Sequence, residues 1–141
     1  MTFDPDRFAD TLLESMPDAV VYSDAEGKIQ YWNKGADGIF GFTAAEAIGQ
    51  SLDIIIPPNL RQRHWDGYEQ TMRTGATRYG AGDLLAVPAI RKDGSRISIE
   101  FTIVPFKDET GRMLGIAAII RDVSKRFEEV RALRKAAAAT Q

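Results

Sequence analysis

The chain has no cysteine and one histidine, His64, among its 141 residues. Without a thiol it can form no disulfide, thiolate metal site, iron–sulfur cluster or cysteinyl chromophore adduct, and it suits a reducing compartment. No histidine-rich metal cluster is within reach either. The serines and acids do not form a nucleophile–base–orienter set around His64, and no glycine-rich phosphate loop follows a strand, so the chain is not read as an enzyme. No run of about 18 apolar residues exists, and the opening stretch carries Asp4, Asp6 and Asp10 rather than a basic leader. Charge of one sign is not in excess, since 18 basic residues are interspersed with 20 acidic ones for a net charge of −2. Neither nucleic acid nor an anionic membrane is therefore an expected partner, and a cytoplasmic location is the default.

What is present is enough for one core. At 141 residues and 44% hydrophobic content the chain suits a single domain with end segments. Residues 1–16 hold an amphipathic helix with Phe8, Leu12, Leu13 and Met16 at helical spacing. Residues 17–122 form the body. Residues 123–141 hold a second end helix, with Phe127, Val130, Leu133 and Ala137 on one side and charge on the other. Its apolar seam predicts a tether to a further domain or half of a coiled coil.

Within the body, Ala19 to Ser23 and the alternating Lys28 to Trp32 read as a hairpin around Gly27. Asn33 follows where strand gives way to helix, and its side chain can cap the exposed N–H groups there. The segment from Lys34 to Phe40 is a short helix. Thr43 and Glu46 make a capping box for another. Pro57 and Pro58 open a longer helix that Gly75 stops. In it Leu60, His64, Tyr68 and Met72 recur at every fourth position and turn inward, while Arg61, Arg63, Asp66, Glu69 and Arg73 stay wet. Tyr79 to Ile90, Arg96 to Val104 and Gly115 to Ile120 then read as strands. The order predicts an α+β domain with a five-stranded antiparallel sheet and short helices on one face.

The phrases MPDAVVYSDAEGKIQYWNKGADGIFGFTAAEAIGQSLDIIIP, RKDGSRISIEFTIVPF and GRMLGIAAIIRDVSKR resemble a PAS domain from Asp18 to Arg126. Asn33 after Trp32, the Gly41–Phe42–Thr43 step with Glu46, the Lys92–Asp93–Gly94 turn and the Arg121–Asp122 exit carry the likeness. The resemblance implies a sensory module of a bacterial signalling protein, a sheet cupping a pocket against helices, and homodimers formed through the flanking helices. It also implies an output domain beyond the last helix, outside this chain. Phe8, Leu12, Phe127, Val130 and Leu133 are the expected dimer and signal residues.

For the pocket, the expected lining is Leu60, His64, Tyr68, Met72, Leu85, Ile97, Ile99, Phe101, Ile116, Ala118 and Ile120, with small Ala86 and Ala118 leaving room. Apolar walls with few polar anchors suit a small, mainly apolar ligand. The stretch from Pro57 to Gly75 also resembles haem PAS domains of the FixL and Dos type. That likeness makes haem the alternative occupant, with His64 as its axial metal ligand. Leu84 to Pro88 offers no polar group for bound oxygen. Flavin is disfavoured because the reactive cysteine of light-oxygen-voltage domains is missing.

Overall fold

In the computed structural model, which describes residues 2–75 and 84–139, the chain begins with α1 (Pro5–Ser15), β1 (Ala19–Asp24) and β2 (Ile29–Trp32). It continues with α2 (Lys34–Phe40), α3 (Ala44–Ala47), two 3-10 turns (Leu52–Ile55 and Pro58–Leu60) and α4 (Arg61–Thr74). It ends with β3 (Leu85–Ile90), β4 (Arg96–Lys107), β5 (Met113–Asp122) and α5 (Ser124–Ala139). The five strands pair antiparallel in the order β2-β1-β5-β4-β3. The α+β reading with a five-stranded antiparallel sheet is what the structure shows.

Register determines which side chains share a face, because successive strand residues point to opposite sides. Val21 pairs with Trp32 and Ala118, Ala118 with Ile103, and Ile120 with Phe101, which in turn pairs with Leu85. One inner face thus gathers Ala19, Val21, Trp32, Ile97, Ile99, Phe101, Ile103, Ile116, Ala118 and Ile120. Against it pack Phe40, Leu52, Ile55 and Tyr68 from the helical side. Phe40 and Ile29 are fully buried.

Two caps start the short helices as expected. Asn33 Oδ1 accepts from Ala36 N–H at 3.0 Å and, across the fold, from Val20 N–H at 2.8 Å. Its amide also donates to the carbonyls of Leu13 at 2.7 Å and Asp18 at 3.1 Å. One side chain therefore ties α1, β1 and α2 together. Thr43 and Glu46 form the capping box of α3, and Glu46 reaches on to Lys92 in the turn between β3 and β4.

Four expectations need correction. The helix from Pro57 to Gly75 is α-helical only from Arg61, because Pro58–Leu60 closes as a tighter 3-10 turn. A proline ring there leaves one less N–H to pair. Gly75 does stop it in the left-handed region at φ 70°. Arg61 is half-buried rather than wet, since its guanidinium donates to the carbonyls of Ile56 at 3.1 Å and Asp53 at 3.2 Å. Ala86 pairs with Glu100, whose carboxylate reaches out to Arg126 of α5, so Ala86 lies on the outer face and leaves no room inside. Finally, β4 and β5 run on to Lys107 and from Met113, extending the hairpin past the core. Of the strand expected over Tyr79 to Ile90, residues 79–83 lie outside the described residues; Leu84 is not in a strand and Leu85–Ile90 is.

Candidate functional site

The helical wall of the core is built on α4, where His64, Trp65 and Tyr68 form an aromatic group. The imidazole centroid lies 4.7 Å from the Trp65 ring, edge-on, and 5.7 Å from that of Tyr68. Trp65 and Tyr68 are themselves 5.3 Å apart. Residues three and four apart share one side of a helix, and Trp65 joins them because it neighbours His64 at the edge of that stripe.

Each anchor on this wall has a cause. Trp65 Nε1–H donates to Asp53 Oδ1 at 2.7 Å. Its ring lies over Gly27, where a Cβ would come within 2.2 Å of ring carbons and where φ is +80°. Only glycine serves there. Tyr68 donates its hydroxyl proton to the Asp24 carbonyl at 2.5 Å, so the Ser23 hydroxyl, 2.9 Å away, acts as donor to the tyrosine oxygen. Burial pushes the Tyr68 phenol up to about 12, partly offset by that serine. The tyrosine stays neutral and serves as a hydrogen-bonded latch between α4 and the β1–β2 hairpin.

His64 is different. Its Nδ1 is buried and has no hydrogen-bond partner among the described residues. Burial drives its pKa below the ordinary 6.5, with the Asp53 carboxylate pulling the other way. A buried polar atom with nothing to bond is a cost in the isolated domain. It also has a pH signature. Between the depressed folded value and about 6.5 the unfolded chain binds the extra proton and the folded one does not, so stability rises with pH across that window. The contribution is fully present above about 6.5 and is lost as pH falls from there towards the folded value. Urea titrations at pH 7.5 and pH 5 are expected to show a larger acid loss for the wild type than for His64→Gln; equal losses would show that the imidazole is solvated.

Of the residues expected around the pocket, Tyr68, Ile97, Ile99, Ile116 and Ile120 are brought together in the buried cluster. Met72, Phe101 and Ala118 pack against it, partly buried. His64 stands beside Tyr68 at the wall, and Leu60 and Leu85 are half-buried. Sequence reading missed Ser23, Gly27, Asp53 and Trp65. Ser23 shares the parity of Ala19 and Val21, a usable signal; the contacts of Asp53 with Trp65 depend on how two helical segments meet and left none. The end-helix residues sit apart from this site, with Phe8, Leu12, Phe127, Val130 and Leu133 all exposed.

The architecture is an antiparallel sheet with an apolar inner face, covered by short helices and one longer helix. Family comparison agrees: the PAS fold matches over residues 13–128, and the chain belongs to that family. The sensor protein FixL of Bradyrhizobium diazoefficiens is 33% identical over 93 residues, covering 66% of this chain and 18% of FixL. The oxygen sensor protein DosP of Escherichia coli is 28% identical over 117 residues, covering 83% of this chain and 14% of DosP. The chain thus spans less than a fifth of the length of these curated relatives. Among solved structures, the PAS domain of a Colwellia psychrerythraea protein superposes with a TM-score of 0.74 at 25% identity, covering 86% of this chain and 99% of that one. Among the described residues, no helix is long and apolar enough to cross a membrane.

Proposed function

We propose that this domain is the sensory input of a larger bacterial signalling protein, taking a small, mainly apolar ligand between α4 and the inner face of the sheet. The observation that carries the reading is the buried Nδ1 of His64, without a partner among the described residues, on an otherwise apolar and aromatic wall. Such a wall offers a ligand hydrophobic burial and a single polar anchor. A ligand that satisfies the imidazole favours whichever packing of α4 on the sheet accommodates it. β5 leads within two residues into α5, so a shift in the sheet alters the angle or register of that helix. In this reading the domain works as a homodimer joined through its end helices, and α5 leads to an output domain.

Haem is the second reading, favoured by the similarity to DosP, an oxygen sensor by name, and by the position of His64. The donor type fits: His64 would hold the iron, with Met72, Ile97, Ile99, Ile116 and Ile120 as apolar walls. The group would supply a gas-binding metal. It stands second because an axial histidine ordinarily donates its other ring N–H to an acceptor, and Nδ1 here has none among the described residues.

Absorption spectra of the protein with and without added haemin, for the wild type and for His64→Ala, separate the two. The expected result is no histidine-dependent Soret band in either protein. A sharp band in the wild type that is lost in the variant would overturn the apolar-ligand reading in favour of haem.

A further inference from the structure

Between α5 and the outer face of β3 and β4 lies an open groove of about 920 Å³. Ala86, Pro88 and Ser98 line it from the sheet and Phe127 and Val130 from the helix, with Arg131 and Arg134 further along α5. Its near end is fixed. The Ser98 N–H donates to Ser124 Oγ at 2.9 Å, and Arg126 pairs with Glu100. Beyond that first turn no residue of α5 is buried, and Leu133 is 70% exposed.

At the other edge of the sheet a second helix is left uncovered. No residue of α1 is buried, and Phe8 and Leu12 are 53% and 51% exposed. Its last turn is pinned beside β2: Asn33 donates to the Leu13 carbonyl at 2.7 Å, and the Tyr31 hydroxyl donates to Glu14 at 2.6 Å. β2 and β3 are opposite edges of the sheet, so this anchoring holds α1 away from the groove of its own copy.

Charge decides how two copies can use these surfaces. With its cap, α1 carries Asp4, Asp6, Asp10 and Glu14 against Arg7, net −3, whereas α5 carries five basic residues against Glu128 and Glu129, net +3. A parallel pair of α5 helices sets Arg131 and Arg134 against their own copies, and in either direction a pair of α5 helices joins two net +3 segments and a pair of α1 helices two net −3 segments. Pairing α1 with α5 brings helices of opposite net charge within a screening length of about 8–10 Å.

We propose that α1 of one copy seats its Phe8 and Leu12 stripe in the α5 groove of a second copy, and that twofold symmetry repeats the contact. The pairing rests on the dimer reading above and names its geometry: the interface is reciprocal between unlike helices rather than a coiled coil of like ones. The exposed Val104 and Phe106 of β4, on the same outer face as the groove, extend the apolar surface available to the partner.

A chain without cysteine is a clean background for cross-linking. Leu12→Cys and Val130→Cys proteins, mixed and exposed to a mild oxidant, are expected to yield a covalent dimer at least tenfold faster than either protein alone. Adding Arg131→Glu and Arg134→Glu to the Val130→Cys protein is expected to cut that rate several-fold. A wild type of one-copy mass in solution would overturn both the dimer and the pairing. A dimer in which the mixed variants fail to cross-link, or Val130→Cys cross-links to itself as fast, would overturn the pairing and leave the dimer standing.

Discussion

Replacing Asn33 with alanine is expected to lower the unfolding free energy by about 3–5 kcal/mol, a large share of the roughly 5–15 kcal/mol that holds a domain together. The side chain is 1% exposed and makes four hydrogen bonds, two as acceptor and two as donor. Truncation removes a helix cap, about 1 kcal/mol, and strips partners from backbone groups buried at the meeting of α1, β1 and α2. Each such group left without a partner costs about 1–3 kcal/mol. Urea unfolding followed by circular dichroism measures the change. A loss under about 1 kcal/mol would mean that water replaces the amide and that the three-way junction is looser than these bonds imply. Because Leu13 is one of the partners, the variant is also expected to free the C-terminal turn of α1, read as faster amide exchange across residues 12–16.

The second large effect is at Gly35, the second residue of α2. A Cβ there would lie 2.0 Å from the Asp18 carbonyl oxygen and 2.9 Å from that of Pro17. Both obstacles are backbone, and Asp18 O is held by Asn33, so neither can swing aside. Gly35→Ala is expected to destabilise by about 2–4 kcal/mol, in the range of overpacked cores and forced backbone shifts. Gly38 supplies the control. It lies in the same helix with nothing within 4 Å of its would-be Cβ, so Gly38→Ala gains helix propensity and is expected to stabilise by about 0.5–1 kcal/mol. Thermal unfolding of the two proteins separates the effects. Equal and small changes at both sites would show that α2 rides freely over β1.

These two positions bear on function because the junction they build sets where α1 leaves the sheet. Arg121 at the end of β5 pairs with Asp18 just before β1, so the exit towards α5 and the anchor of α1 lie at one end of the sheet. The Ser23–Tyr68 latch and the Trp65 contact with Gly27 join α4 to the other end of β1. α4 is thus tied to β1, the strand that borders β5. β5 in turn runs on into α5.

Much of this was legible without coordinates. Alternation in Ile97, Ile99, Phe101 and Ile103 implied an inner sheet face, the four-residue spacing of His64 and Tyr68 implied an inward helical stripe, and Asn33, Thr43 and Gly75 marked helix ends. Each signal is local: a cap, a turn or a periodicity spends its information within a few residues. Haem and ligand selection were not legible, since both turn on the space around one imidazole.

The amino-acid order by itself determined the α+β class, the hairpins, the caps and the inward course of His64, because propensity and hydrophobic period act over one or two turns of chain. Tertiary structure alone decided that Ala86 faces outward, that Arg61 bonds carbonyls instead of water, that Trp65 needs a glycine beneath it, and that Asn33 serves three elements at once. Those facts depend on strand register and on contacts between residues far apart in the chain. A groove beside α5 belongs to the same class: it exists because one helix leaves a sheet at an angle, a relation that no stretch of sequence contains.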